Sequence, residues 1–312
     1  VGSGTDGIPI GIATTFEAKL GPIQATVQKI GLKAKLSFPD KGGNLGPVNM
    51  DMGFLPPNGV GLRIEASVVK GGGFLSLDYD AGKYAGALDL KLSKLSIAAL
   101  GLLCTKLPGG RKGFSLLVVI SVSFGSGIPL IFGFKLTKVG GLLGLNREMN
   151  VDNIRKDVRD GSMTKVLFPE EPTKHAMEIL SSLESYFPMS EKETFIIGPM
   201  LQLGWGTPVL ITIDLAILIQ INKFNIVIAG LLRCMLPTVE SAILRLNVAF
   251  LGEINPPKKF IKFDAAIFDS GILFLSISGG MAVRVFWGSH GGFLISVGGF
   301  HPNYTIPPEM EL

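Results

Sequence analysis

Catalysis by side chains needs ionisable or nucleophilic groups, and this 312-residue chain is thinly supplied with them. It has three histidines: His175, His290 and His301. His290 and His301 sit in glycine-rich stretches, Gly288-Ser289-His290-Gly291-Gly292 and Gly298-Gly299-Phe300-His301-Pro302. A serine or aspartate folded beside either would make a hydrolytic arrangement, because such partners need not be near in sequence. No Gly-x-Ser-x-Gly elbow between a strand and a helix is present, however. No His-x-x-x-His or Cys-x-x-Cys pair exists either, so a zinc site is disfavoured and no metal or cofactor is expected.

The other polar candidates are scattered. Asp214, Glu253, Asp264 and Asp269 follow no common spacing, so a paired-carboxylate mechanism does not follow from them. Asp214 lies in an oily run. On a wet face it is simply solvated; in a core it would need a partner such as Arg233 or Lys223, because an unpaired buried charge is very costly. The run Val139-Gly140-Gly141-Leu142-Leu143-Gly144-Leu145-Asn146-Arg147 lacks the Lys-Ser/Thr ending of a phosphate loop. Its glycines suit close passage of two backbones, and Arg147 suits an anchor on carbonyl groups or a ligand contact. Cys104 and Cys234, both in apolar contexts, read as buried free thiols. The chain is therefore expected to be no enzyme, with a hydrolase using His301 or His290 as the alternative.

The apolar residues carry a clearer signal. Val209, Ile211, Ile213, Leu215, Ile217, Ile219 and Ile221 are all large aliphatics at alternate positions. Successive strand side chains point to opposite faces, so these share one side. Leu116, Val118, Ile120 and Val122 repeat the pattern. The chain is 47% hydrophobic and only 17% charged, with a mean hydropathy of +0.43. It nonetheless has no run of about 20 uninterrupted apolar residues, as a spanning helix requires. The aliphatic sides are expected to turn together away from water, as a broad core or as a groove for acyl lipid or an apolar partner strand. Val209, Ile211, Ile213, Leu215, Ile217, Leu116, Val118, Ile120 and Val122 are the candidate contact residues, with Trp205, Arg147 and His301 beside them.

The pattern gives a mainly β, α+β chain. Large antiparallel sheets would form a barrel, sandwich or groove, with a helical hairpin near 151–187. Ala176, Ile179, Leu180, Leu183 and Phe187 form one helical stripe. A helix over 170–187 would hold Pro172 in its first turn. Residues 1–55 read as N-terminal strands and a linker, and 56–312 as one β-rich domain carrying the insertion at 151–188. Residues 39–58, with recurring Gly and Pro, are expected to be a loop and Gly71-Gly72-Gly73 to turn the chain; strands are expected at 195–205 and 225–235 and, separately, at 272–278 and 281–287.

Net charge is +4, spread as isolated lysines, without the basic stripe and aromatics of a nucleic-acid surface. Twenty Phe against four Tyr and two Trp weigh against a membrane barrel with Tyr/Trp girdles, which stays a third alternative.

The Val139–Arg147 run, Leu167-Phe168-Pro169-Glu170-Glu171-Pro172, Gly198-Pro199-Met200, Leu203-Gly204-Trp205-Gly206-Thr207-Pro208 and Ser296–Pro302 together resemble an uncharacterised domain family of large multidomain bacterial and fungal proteins. The resemblance runs from about Pro56 to Pro307 and brings no catalytic residue with it. It implies a module whose partners are other domains of the same polypeptide or assembly.

Overall fold

The computed structural model describes residues 7–39, 42–110, 113–159, 167–168, 172–239, 241–288 and 291–298. Among these, the chain is one antiparallel sheet of sixteen strands and two helices. The strands are β1 (Ile8–Leu20), β2 (Ile23–Ser37), β3 (Asn49–Leu55), β4 (Gly59–Glu65), β5 (Val69–Asp78), β6 (Lys83–Leu92), β7 (Leu95–Cys104), β8 (Ser115–Pro129) and β9 (Phe134–Leu145). Helices α1 (Val151–Arg159) and α2 (Ala176–Tyr186) follow. The chain then returns through β10 (Phe195–Trp205), β11 (Ile211–Gln220), β12 (Asn225–Leu236), β13 (Leu244–Asn255), β14 (Phe260–Ile272), β15 (Leu275–Phe286) and β16 (Gly292–Val297).

The order is a meander in which each strand pairs with its successor, except that β3 and β4 both pair with β2. They lie end to end along it, separated by Pro56 and Pro57, which have no N–H to donate to a ladder. β1 and β16 do not meet, so the sheet is open. Short turns close one end: Gly21-Pro22, Ser93-Lys94 and Leu273-Phe274. Long connections crowd the other, at 38–48, 105–114 and 146–194. Among the described residues, no helix is long and apolar enough to cross a membrane.

Both helices belong to the 146–194 insertion, a hairpin loop between adjacent strands β9 and β10. Asn150 caps α1 by accepting from the Asn153 N–H at 3.1 Å. Val151, Ile154 and Val158, three and four apart, are its buried stripe. α2 buries Ala176, Ile179, Leu180 and Leu183, each large side chain contributing about 1.5–3 kcal/mol. α2 begins at Ala176 rather than near 170: residues 172–174 form a turn, so Pro172 precedes the helix instead of opening it. The helices join where Asn153 Nδ2 donates to Ser185 and the Tyr186 hydroxyl donates to Asp157.

Three local expectations fail for identifiable reasons. Gly71, Gly72 and Gly73 lie inside β5 rather than in a turn; a Cβ at each would strike the carbonyl oxygen of Asp89, Leu62 or Ala87 of the neighbouring strands at 2.0–2.2 Å. Strand β15 runs unbroken through Ser278-Gly279-Gly280, merging two expected strands. And 49–55, placed in a loop by its Gly and Pro content, is β3.

Candidate binding surface

In an antiparallel ladder, residues directly opposite each other share a face. The cross-strand register therefore reads as transverse rows. One is Phe16, Val27, Val60, Leu75, Gly86, Gly101, Val118, Leu143, Ile197, Ile219, Ile226, Ile254, Ile261, Val285 and Phe293. It crosses the whole sheet without a polar side chain. The rows on either side carry the same character.

A row from the other face reads Lys19, Gln24, Arg63, Gly72, Asp89, Ala98, Ser121, Gly140, Met200, Ala216, Ala229, Leu251, Asp264, Ala282 and Ser296. It is small and apolar at its centre, under the insertion, and polar on its flanks. Strand charges in regular register all fall on this insertion face; Lys29 and Asp269 sit where the register shifts. The opposite face is bare.

The candidate residues divide accordingly. Ile211, Ile213, Leu215 and Ile217 on β11, and Leu116, Val118 and Val122 on β8, are half-buried on the bare face. Ile120 beside them is 47% exposed. They turn together as expected, but they are not the side shielded from water. The buried side of β11 is the mixed set Asp214, Ala216, Leu218 and Gln220, because the insertion lies there. Trp205 also lies on the bare face, its indole Nε1 donating to the Phe132 carbonyl at 3.0 Å. Val209 leaves the group: it lies in the turn after Gly206 (φ +98°), its methyls against the far side of Gly204. His290 and His301 lie outside the described residues, and His175 is exposed at the start of α2.

Arg147 is wholly buried and far from any open surface. Its Nη1 donates to the Phe187 carbonyl at 3.0 Å, at the C-terminal end of α2, where a cation also meets the favourable end of the helix dipole. Its Nη2 lies 3.5 Å from Cys104 Sγ. Burial lowers its pKa, opposed by Cys104 and Glu184. It fastens the insertion to the sheet, the carbonyl-anchoring role. Gly140 serves the same docking: a Cβ there would meet the Phe168 ring at 3.2 Å and the Ile120 carbonyl at 2.8 Å. Cys104 and Cys234 are both free and buried.

Two ionic clusters pin the insertion face. Asp214 is fully buried, bonded to Arg233 and accepting from Gln202 Nε2 at 2.6 Å. Burial pushes its pKa up, against the pull of Arg233, Gln202 and Lys138. The larger cluster was not legible in the spacing. Arg155 on α1 donates from Nη2 to Glu253 at 2.6 Å and from Nε to Asp264 at 2.9 Å. Arg284 reaches the other Asp264 oxygen at 2.6 Å. Burial alone would lower the Arg155 pKa, but Glu253 and Asp264 together more than offset it and hold it raised. Glu253, Asp264 and Arg284 do share one strand face, which was the available signal; the bridging helix was not. No group of three or more metal-binding side chains occurs among the described residues.

The bare face is not uniform. Gly86 and Gly101 leave a hollow of about 650 Å³, bordered by Leu62, Leu75, Leu116 and Val118. A Cβ at Gly101 would meet nothing within 4 Å. On β12, by contrast, Gly230 lies beneath the Phe250 ring, 2.1 Å from where a Cβ would stand. Phe250 in turn stacks on Phe263.

Fold and surface thus define an α+β protein built on one open sheet, with an insertion on one face and an uncharged apolar expanse on the other. The chain belongs to DUF6603, a family of unknown function, whose model matches residues 1–311. No curated protein and no solved structure matches it.

Proposed function

We propose that this chain is a non-enzymatic binding module, part of a larger polypeptide or assembly, whose bare sheet face is its working surface. One observation carries the reading: among the described residues, no regular strand position on that face holds a charged side chain. Apolar patches beyond a few hundred Å² mark interaction sites in soluble monomers. This face spans fifteen strand positions, roughly 70 Å at about 4.8 Å per strand. Binding there is driven by burial, at about 25 cal/mol per Å² of apolar area, rather than by directed bonds. The hollow over Gly86 and Gly101 suits an acyl chain or a similarly slender apolar group.

The test is native mass spectrometry of the purified chain with organic extraction, alongside titration with an apolar fluorescent probe. The expected result is a co-purifying apolar ligand, or probe uptake that is lost when the hollow is filled by Gly101→Leu. A monomer that carries nothing and takes up no probe would overturn the reading.

A further inference from the structure

Resting on that reading, we infer that the bare face is lipid-facing: its strands stand against the hydrocarbon of a bilayer, while the insertion and the strand charges lie on the aqueous side. Four observations converge.

The first is sidedness. The bare face is apolar across the whole sheet, while every strand charge in regular register lies on the other face, which is apolar only where the insertion covers it; an apolar outer side backed by a side that carries the charges is the pattern of a membrane-embedded β wall. The helical insertion occupies the polar side, where such walls hold their plugs. The second is height. From Ile211 to Ile219 the apolar face of β11 rises roughly 26 Å at about 3.3 Å per residue, and an apolar band of a membrane barrel is about 25 Å tall. The third is the connections. Connections of two to seven residues close one end of the strands, whereas the three longest, 38–48, 105–114 and 146–194, all lie at the other, again as in such walls. The fourth is what a protein partner would require. Protein interfaces carry about one hydrogen bond per 100–200 Å², and a face of roughly 70 by 26 Å would need about ten. The bare face offers little beyond Thr14, Tyr84 and the bulge residue Ser270, and Ser270 already bonds the backbone of Asn247 and Phe268. A second copy of this chain would bring the same deficit.

The shortage of Tyr and Trp does not oppose this assignment. Phe132, Phe134, Phe274, Phe195 and Phe224 stand at the two ends of the strands, where an aromatic girdle belongs. Phe132 and Phe274, on turns, are 85% and 88% exposed. The girdle is largely phenylalanine, which the residue count alone disguised.

The experiment uses the 312-residue chain with Trp205→Phe and Trp287→Phe, reconstituted in vesicles of phosphatidylcholine and phosphatidylglycerol. Emission is compared with and without bromine on the acyl chains. Ile217→Trp on the bare face is expected to lose most of its emission to the bromine, and Ser278→Trp, on the opposite face of β15, to keep it. Leu215→Trp repeats the first measurement if Ile217→Trp does not fold. Equal quenching of both faces overturns the one-sided embedding. No quenching of either, in a chain that sediments as a dimer with Ile217→Trp shielded from aqueous quencher, overturns the lipid assignment and leaves the binding-module reading standing. No quenching in a monomer with Ile217→Trp open to that quencher overturns both.

Discussion

The two faces of this sheet are made of the same strands and obey opposite rules. On the insertion face, the buried strand charges are admitted because they have partners: Arg155 joins Glu253 and Asp264, Arg284 shares Asp264, and Arg233 meets Asp214. Between these clusters the residues shrink to Ala216, Ala229 and Ala249, leaving room for the helices. On the bare face the residues are large and aliphatic, and among the described residues no element lies over them. Burial here is not a matter of hydrophobicity. The less apolar face is the dry one, because the insertion lies on it.

That contrast can be broken in graded ways. The largest effect is expected from Arg155→Met, which leaves Glu253 and Asp264 buried without their shared cation and costs about 3–5 kcal/mol. Denaturant unfolding of the variant measures it; a cost below about 1 kcal/mol would mean that the cluster is solvated. Next comes Ile217→Lys. Against lipid it is expected to weaken vesicle association by about 2–4 kcal/mol, or roughly 30- to 1,000-fold. Against water it would change stability by no more than about 0.5 kcal/mol, so one substitution separates the two environments. Third, Gly230→Val must displace the Phe250 ring, at an expected cost of about 1–3 kcal/mol, whereas Gly101→Val enters open space and is expected to be near neutral. Melting temperatures of the pair compare the filled half of the bare face with the hollow one.

The smallest effect is electrostatic. The Asp214 pKa is raised in the folded chain, so folding favours its protonated form. Stability is therefore expected to gain as pH falls from neutral through that raised value, the gain being complete below the ordinary aspartate range. Unfolding free energies of Asp214→Asn across the acidic range should lack this contribution; an unchanged profile would show that Arg233 fully compensates the burial.

Much of the sheet was legible in the sequence because alternation is strict. Residues 195–205 and 225–235 read as strands and are strands. Alternation assigns side chains to faces, but it does not say what lies over each face. Hence Ile211, Ile213 and Leu215 were grouped correctly and their surroundings were not. Asp214 illustrates the same limit: its need for Arg233 followed from buried-charge energetics, but its burial did not follow from its neighbours. Arg155 was invisible because its carboxylates are about a hundred residues away in sequence, gathered only when α1 crosses β13 and β14. Glycine misled twice for one reason. At 71–73 and 279–280 it marks backbone that must pass close to its neighbours or leave room beside the strand, not backbone that must reverse.

The sheet has two raw margins. β1 and β16 each present an unmatched line of peptide groups, and β1 is exposed along its entire length. Such a margin is a template for one more hairpin of the same pattern, from a longer polypeptide or a neighbouring molecule. Within hydrocarbon, where unpaired amides are not tolerated, it would have to be occupied. Width in this architecture is therefore set by addition at the seams, not by closure.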